Sequence, residues 1–159
     1  MPRFRRRRGF TVQELLVVIV VAGLMMKIGL PKLGTMKNKN NLRAAKQQVM
    51  AYIVDARAAA VRRSRTGHFI RTSNTIQAKV DSASTVVKVT STVQLDKTKN
   101  ITVAISGSAA TTDSIHFDPR GFATNLTGSR TYVLTVTGTT TKDSVCVSRL
   151  GLIARFCGQ

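Results

Sequence analysis

The hydrophobic pattern changes twice along the chain and divides it into segments of different structure. Residues 10–30 form a nearly continuous apolar run, broken by four polar residues, Thr11, Gln13, Glu14 and Lys27. From residue 38 to about 65, apolar residues recur at steps of three and four, the spacing of one helix face. From residue 66 onward, threonine, serine, valine and isoleucine predominate and apolar positions alternate with polar ones, as in strands.

Residues 10–30 have the length and composition of a membrane span. A helix of 21 residues is about 31 Å long, which matches the hydrocarbon core of a bilayer. The arginines that precede it would hold its start on the cytoplasmic side. Because no small-residue cleavage site follows and Glu14 and Lys27 lie inside the run, an ordinary secretory signal peptide is disfavoured. Gly29 and Pro31 are expected to kink the helix.

The segment 31–65 is predicted to continue this helix in amphipathic form. It has no proline or glycine between residues 41 and 65, and its apolar stripe would lie on the β-rich remainder. The stripe consists of Leu42, Ala45, Val49, Ile53, Ala56 and Ala60.

The remainder of the chain, 66–159, is predicted to form short antiparallel strands. Gly67–Val80 is also expected to be extended, and Pro119, Arg120 and Gly121 indicate a turn. The fold class is therefore α+β, with the second half of a long helix packed on a sheet. The predicted strands are 85–95, 100–106, 114–118, 131–138, 144–149 and 152–156.

The chain is strongly basic, with a formal net charge of +18 that falls to +13 without the five arginines of residues 1–9. Such a surface favours anionic partners, namely nucleic acid, acidic lipid or acidic protein faces, although a solubility charge is the simpler reading. The densest cluster of arginines lies at 57–65. It is interpreted either as a DNA contact or as a solvated helix end. The candidate anion contacts are Arg57, Arg62, Arg63, Arg65, Arg120, Arg130, Arg149 and Arg155.

The two cysteines, Cys146 and Cys157, both lie near the C-terminus. A hairpin at Gly151 would bring them opposite each other, so a disulfide is predicted, with two free thiols as the alternative. Such a bond persists outside the cytosol. Two cysteines without a histidine cluster make a poor zinc site.

Signals for catalysis are weak. His68 and His116 are the only histidines, and neither has an acid and a nucleophile near it in sequence. Asp118 before Pro119 fits a turn better than a catalytic acid. The chain has no glycine-rich phosphate loop and no paired carboxylates at a useful spacing. We expect a non-enzymatic protein without a cofactor or metal.

The segment 5–31, RRRRGFTVQELLVVIVVAGLMMKIGLP, resembles the N-terminus of type IV prepilins and type II secretion pseudopilins. The resemblance implies that prepilin peptidase cuts after Gly9 and that Phe10 is then N-methylated. Glu14 matches the glutamate at the fifth mature position, and Pro31 matches the helix-breaking proline. The implied type IV pilin-like fold has a cleaved leader at 1–9, a membrane and filament-core helix at 10–30, its amphipathic continuation at 31–65 and a β-rich head at 66–159.

The resemblance also implies a role for Glu14. Cleavage creates a charged amine on Phe10 in an apolar setting, and in a filament Glu14 of one subunit would meet the Phe10 amine of a neighbour. Two groups that are too costly to bury alone are tolerated as a pair. The implied partners are other pilins, prepilin peptidase and the inner membrane, with the N-terminus cytoplasmic and the head periplasmic before assembly into a filament.

Segments 115–124 (IHFDPRGFAT) and 146–159 (CVSRLGLIARFCGQ) are similar to the GspH/FimT group of minor pseudopilins, which includes type II secretion system protein H. This implies a minor subunit that initiates or caps a secretion pseudopilus or a type IV pilus. A FimT-like subunit that binds double-stranded DNA for natural transformation is the alternative, and a major pilin is a second one. The glycine-arginine-x-arginine pattern of FimT proteins is not kept, because Leu152 follows Gly151, although Arg149 and Arg155 flank the turn.

Overall fold

The computed structural model of the protein describes residues 10–83 and 85–154, without the side chains of residues 28–32. The chain divides into two compact units, Met1–Lys37 and Asn38–Gln159. One helix, α1 (Val12–Arg63), belongs to both. Among the described residues, no helix combines the length and the hydropathy needed to cross a membrane.

Helix α1 begins at a threonine cap and ends at a left-handed residue. The backbone N–H of Glu14 donates to both the carbonyl and the hydroxyl oxygen of Thr11, at 3.1 and 3.2 Å, which satisfies a donor that the first turn leaves free. At the other end Ser64 has φ +49°, and Arg65 N–H donates to Ala60 O at 3.1 Å. The helix continues through Gly29 and Pro31, and the kink expected there stays a prediction.

The described residues after α1 form two antiparallel sheets and one short helix. The elements are β1 (Gly67–Thr72), β2 (Thr75–Asp81), β3 (Val86–Lys88), β4 (Val93–Gln94), α2 (Leu95–Lys99), β5 (Ile101–Ile105), β6 (Thr112–Phe117), β7 (Arg130–Val136), β8 (Lys142–Val147) and β9 (Ile153–Ala154). The first sheet has the strand order β3-β2-β1-β6, with β4 also beside β2, and the second has the order β5-β7-β8-β9.

The predicted stripe of α1 packs against both sheets and forms one core with them. All six of its residues are buried, and they share a cluster with Phe69, Ile115 and Tyr132. The helix also approaches the strands closely at Gly67, where a Cβ atom would overlap the carbonyl oxygen of Ala56. Because the core residues all follow residue 41, a fragment that begins at Lys37 keeps the whole core. The α+β fold with a long helix on antiparallel strands is confirmed.

The sequence predicts one strand over 85–95, and this prediction is wrong in its length. Two short strands, β3 and β4, take its place, and α2 begins at Leu95. The N–H groups of Val89 and Thr90 both donate to Ala78 O, at 2.8 and 3.3 Å, while the Thr90 hydroxyl accepts from Ala78 N–H at 3.0 Å. Two residues therefore oppose one, and such a bulge interrupts pairing. Val87 lies on β3, at the end of the sheet, and is exposed.

Two side chains from the β1–β2 hairpin join the two sheets. Asn74 Oδ1 accepts from the N–H of Val103 at 2.9 Å, and Arg71 Nη1 donates to the carbonyl of Val103 at 2.8 Å. Val103 lies on β5, at the edge of the second sheet. Side chains of the first sheet thus take the place of a neighbouring strand and satisfy backbone groups that the edge leaves open.

Candidate assembly and anion-contact surfaces

The front of α1, residues 12–27, exposes large apolar side chains on every face. Leu15, Leu16, Val17 and Val18 follow one another and are 57, 60, 55 and 59% exposed. Four consecutive residues point in four directions around a helix. The front of α1 therefore has no polar side that could face water alone, and Glu14 is an ionisable group within this apolar surface.

The predicted processing site is only partly described. Gly9 lies outside the described residues, and Phe10 is the first residue within them, 81% exposed. Cleavage after Gly9, N-methylation of Phe10 and the assembly role of Glu14 stay predictions.

Cys146 lies on β8, buried at 3% exposure, and is disulfide-bonded. On β8 it pairs with Thr131 of β7 on one side and with Ala154 of β9 on the other. Cys157 lies outside the described residues, so the predicted pairing with Cys157 stays a prediction.

Arg57, one of the predicted anion contacts, is enclosed between two turns. Its Nη1 donates to the carbonyl of Gly151 at 3.2 Å, and a Cβ atom on Gly121 would lie 2.8 Å from its Nε. Both glycines have positive φ, +86° for Gly121 and +69° for Gly151, so a larger residue at either would be strained as well as crowded. Arg57 therefore fastens α1 to these turns.

The other arginines of the predicted set are distributed around this point. Arg62, Arg63 and Arg65 lie exposed at the end of α1, and Arg120 and Arg149 lie exposed on the two turns. The turns are adjacent, because Ala123 N–H donates to the carbonyl of Arg149 at 2.8 Å. The exposed set Arg62, Arg63, Arg65, Arg120 and Arg149 is called the arginine end below. Arg155 lies outside the described residues.

Arg130 takes part in an ion pair instead. Its Nε lies 3.7 Å from Asp113 Oδ2, the same oxygen that accepts from the Tyr132 hydroxyl at 2.8 Å. Burial, followed by the neighbouring Asp113 carboxylate, raises the pKa of Tyr132 above its usual range. The phenol of Tyr132 is therefore a neutral hydrogen-bond donor, and its hydrogen bond holds the Asp113 carboxylate at the edge of the core.

Arg71 is a buried cation that the sequence pattern does not predict. Its side chain is 2% exposed, and it donates to the carbonyls of Ser73, Val103 and Ala110, at 3.0, 2.8 and 2.6 Å. A guanidinium has five donors in a planar fork, which suits several carbonyls at once. In the sequence Arg71 resembles any other basic strand residue, because its partners lie up to 39 positions away.

The two histidines form a second polar cluster that sequence reasoning did not bring together. Their rings are edge to face with centroids 4.7 Å apart. Asp81 Oδ1 lies 2.9 Å from His68 Nε2, and the Ser114 hydroxyl lies 3.0 Å from His116 Nε2. Burial, and then the His68 charge, lower the pKa of His116, while Asp81 acts in the opposite direction. In the part of the chain that the structure describes, no group of three histidine, cysteine, aspartate or glutamate side chains is placed to hold a metal ion.

Two solved structures are similar to this fold. Both are crystal structures of the type IV minor pilin FimU of Pseudomonas aeruginosa strain PAO1, in different space groups. The first has a TM-score of 0.59 at 17% identity, with 75% of this chain and 90% of FimU covered. The second has a TM-score of 0.55 at 18% identity, covering 71% and 90%. No protein-family model matches the chain, and no curated protein matches it in sequence. The chain thus has the type IV pilin fold.

Proposed function

We propose that this protein is a minor pilin, a subunit that enters a type IV filament through the front of α1. The observation that carries the proposal is the contrast within α1, whose front exposes apolar residues all round while residues 42–60 bury theirs. A fully apolar, exposed helix needs an apolar environment supplied by other molecules. Lipid supplies it before assembly, and the same helices of neighbouring subunits supply it in the filament.

The sequence pattern supports a two-stage path to the filament. The arginines before residue 10 favour insertion with a cytoplasmic N-terminus and a periplasmic head, and peptidase cleavage at Gly9 would free the amine of Phe10. Glu14 lies in the first turn of α1, four residues after Phe10, and is exposed. Its carboxylate would then pair with the Phe10 amine of the next subunit, which makes the charge tolerable in the filament core.

The experiment is to measure where the subunit is found and in what amount. Filaments sheared from cells are purified, and the subunit is quantified against the major pilin with an antibody to the head. A minor pilin is present in filaments at a small fraction of the major subunit. Comparable amounts of the two would support a major pilin, and absence from sheared filaments despite normal cellular levels would contradict the proposal.

The same cells distinguish a pilus from a secretion pseudopilus. Deletion of the gene should abolish surface filaments if the chain initiates or caps a pilus. If it belongs to a type II secretion system, deletion should instead leave pili intact and retain exoproteins in the periplasm. The similar structures are pilus subunits, which favours the first outcome.

DNA binding is a second candidate function, favoured by the exposure of the arginine end. Arg120 and Arg149 lie on adjacent turns, and contacts from such residues to phosphates would be independent of sequence and sensitive to salt. The fragment from Lys37 is titrated with duplex DNA over increasing salt. A steep loss of affinity with salt supports this function, and no binding at about 50 mM salt contradicts it.

A further inference from the structure

One face of the first sheet carries a row of basic side chains that crosses four strands. His116 on β6 is paired with His68 on β1, which is paired with Lys79 on β2, which is paired with Lys88 on β3. Directly paired residues share a face of the sheet. Neighbouring strands lie about 4.8 Å apart, so the four residues, called the basic row below, span about 14 Å.

The basic row lies on the side of the sheet away from the core. The residues next to it in sequence, Phe69, Ala78 and Ile115, are fully buried, and side chains alternate between the two faces of a strand. His68, His116 and Lys79 are half-buried and Lys88 is exposed. The buried neighbours therefore fix the strands that carry the basic row, and the row itself faces solvent.

This arrangement is electrostatically unfavourable within the protein. Lys79 and Lys88 are directly opposite each other, and like charges in such a pair are destabilising. Asp81 contacts His68 at 2.9 Å, and it is the carboxylate that partly offsets the row. A bound anion would relieve the remaining repulsion, which makes the row a candidate ligand site.

We propose that the basic row binds the phosphate backbone of a nucleic acid duplex. A strand of duplex DNA carries one charge per about 3.4 Å of helix axis, so 14 Å corresponds to about four phosphates. Beside the row, the same face presents Thr75, Gln77 and Ser114, whose hydroxyl and amide groups are common phosphate donors. A membrane surface would instead require exposed apolar side chains there, and Ile70 on this face is half-buried.

His116 makes this binding dependent on pH. His116 is paired with His68 on β1, and Lys79 and Asp81 lie one strand further away on β2, while Asn125 Oδ1 accepts from the backbone N–H of His116 at 2.9 Å. Because burial and the neighbouring His68 lower its pKa, His116 is neutral at pH 7 and gains a proton as the pH falls. That proton adds a positive charge to the row, so affinity for phosphate rises in acid.

Asp118, two residues after His116, does not offset this charge directly. Its Oδ1 accepts from the backbone N–H groups of Arg120 and Phe122, at 3.0 and 2.8 Å. The carboxylate is therefore held by the turn that follows β6. The basic row is also a different set of residues from the arginine end, and the proposal depends neither on DNA binding there nor on filament assembly.

The test uses the fragment from Lys37 and a fluorescent DNA duplex, with anisotropy read at pH 8 and pH 5.5 over a range of salt. We expect wild-type affinity to rise at least about fivefold at the lower pH. Lys79→Gln/Lys88→Gln should weaken binding about tenfold and reduce the salt slope by about two, one per lost phosphate contact. Lys97→Gln/Lys99→Gln, which removes the same charge from α2, is the matched control and should change affinity less than threefold.

His116→Gln should remove most of the pH dependence while leaving affinity at pH 8 nearly unchanged. Thermal unfolding of each variant verifies that the sheet is intact. The proposal is overturned if the two double-lysine variants bind alike, or if the histidine variant keeps the wild-type pH dependence. Binding to phosphatidylserine vesicles without binding to the duplex would likewise overturn the assignment to nucleic acid.

Discussion

The two parts of α1 use the same kind of residue in opposite ways. In the front, Val17 and Val18 are 55 and 59% exposed, whereas in the second part Val49 and Ile53 are fully buried and Val54, beside them, is 51% exposed. The second part has one apolar stripe, and the two sheets of the head cover it. The front has apolar residues in all directions, and none of them belongs to the core of the head.

This difference separates folding from assembly. The head completes its own core, so changes in the stripe should act on the free energy of unfolding. The front contributes no residue to that core, so changes there should act on insertion and filament formation and leave head stability unaltered. Four substitutions test this separation.

Glu14→Ala should have the largest effect. It removes the carboxylate that is proposed to pair with the Phe10 amine, and we expect the amount of subunit in sheared filaments to fall at least about tenfold, because an unpaired charge in an apolar core costs several kcal/mol. Gln13→Ala, which removes a neighbouring polar side chain without a charge, is the control. Assembly of Glu14→Ala at the wild-type level would disprove the role of Glu14.

Ile53→Ala should destabilise the head by about 2–5 kcal/mol, because it leaves a cavity between the helix and the sheets. The exposed neighbour Val54→Ala should change stability by less than about 0.5 kcal/mol. Denaturant unfolding of the fragment from Lys37 measures both. Equal effects of the two substitutions would mean that the stripe does not organise the core.

Arg71→Met should destabilise the head by about 2–3 kcal/mol. The substitution keeps much of the apolar volume but leaves the carbonyls of Val103 and Ala110 without their charged donor, and an unsatisfied buried acceptor costs about 1–3 kcal/mol. Amide hydrogen exchange should show faster opening of β5 than in the wild type. Wild-type stability and unchanged protection of β5 would show that the sheets are joined without Arg71.

Arg57→Ala should have the smallest effect, about 1 kcal/mol, because it removes one hydrogen bond to a carbonyl at a half-buried position. Arg62→Ala, on the exposed end of the same helix, is the control and should be nearly neutral. Chemical denaturation compares the two variants. A neutral Arg57→Ala would show that the turns at Gly121 and Gly151 are held without it.

Much of the fold could be predicted because its signals are local. The helical spacing of the stripe and the alternation of Ile101, Val103 and Ile105 depend on residues close in sequence, and the structure buries both sets. The division of 85–95 into two strands could not be predicted, since it depends on the Thr90 hydroxyl reaching Ala78 on another strand.

The polar contacts escaped prediction for the same reason. In the sequence Arg57 is one member of a basic run, yet Gly151, whose carbonyl accepts its hydrogen bond, lies 94 positions away. The basic row likewise exists only in the register of four strands. The processing motif at 9–14 is specific in sequence, and its role concerns other molecules, so the structure of one chain does not test it.

The most direct test of the filament proposal is the labelling of a cysteine placed at position 17 by a water-soluble maleimide. Val17→Cys is compared in subunit dissolved in chemical denaturant and in purified filaments, with the wild-type chain as the background control. We predict rapid labelling in denaturant, where position 17 is open to water, and at least about tenfold protection in filaments, because apolar burial excludes water from that part of α1. Equal labelling in the two states would contradict the proposal that the front of α1 packs among neighbouring subunits.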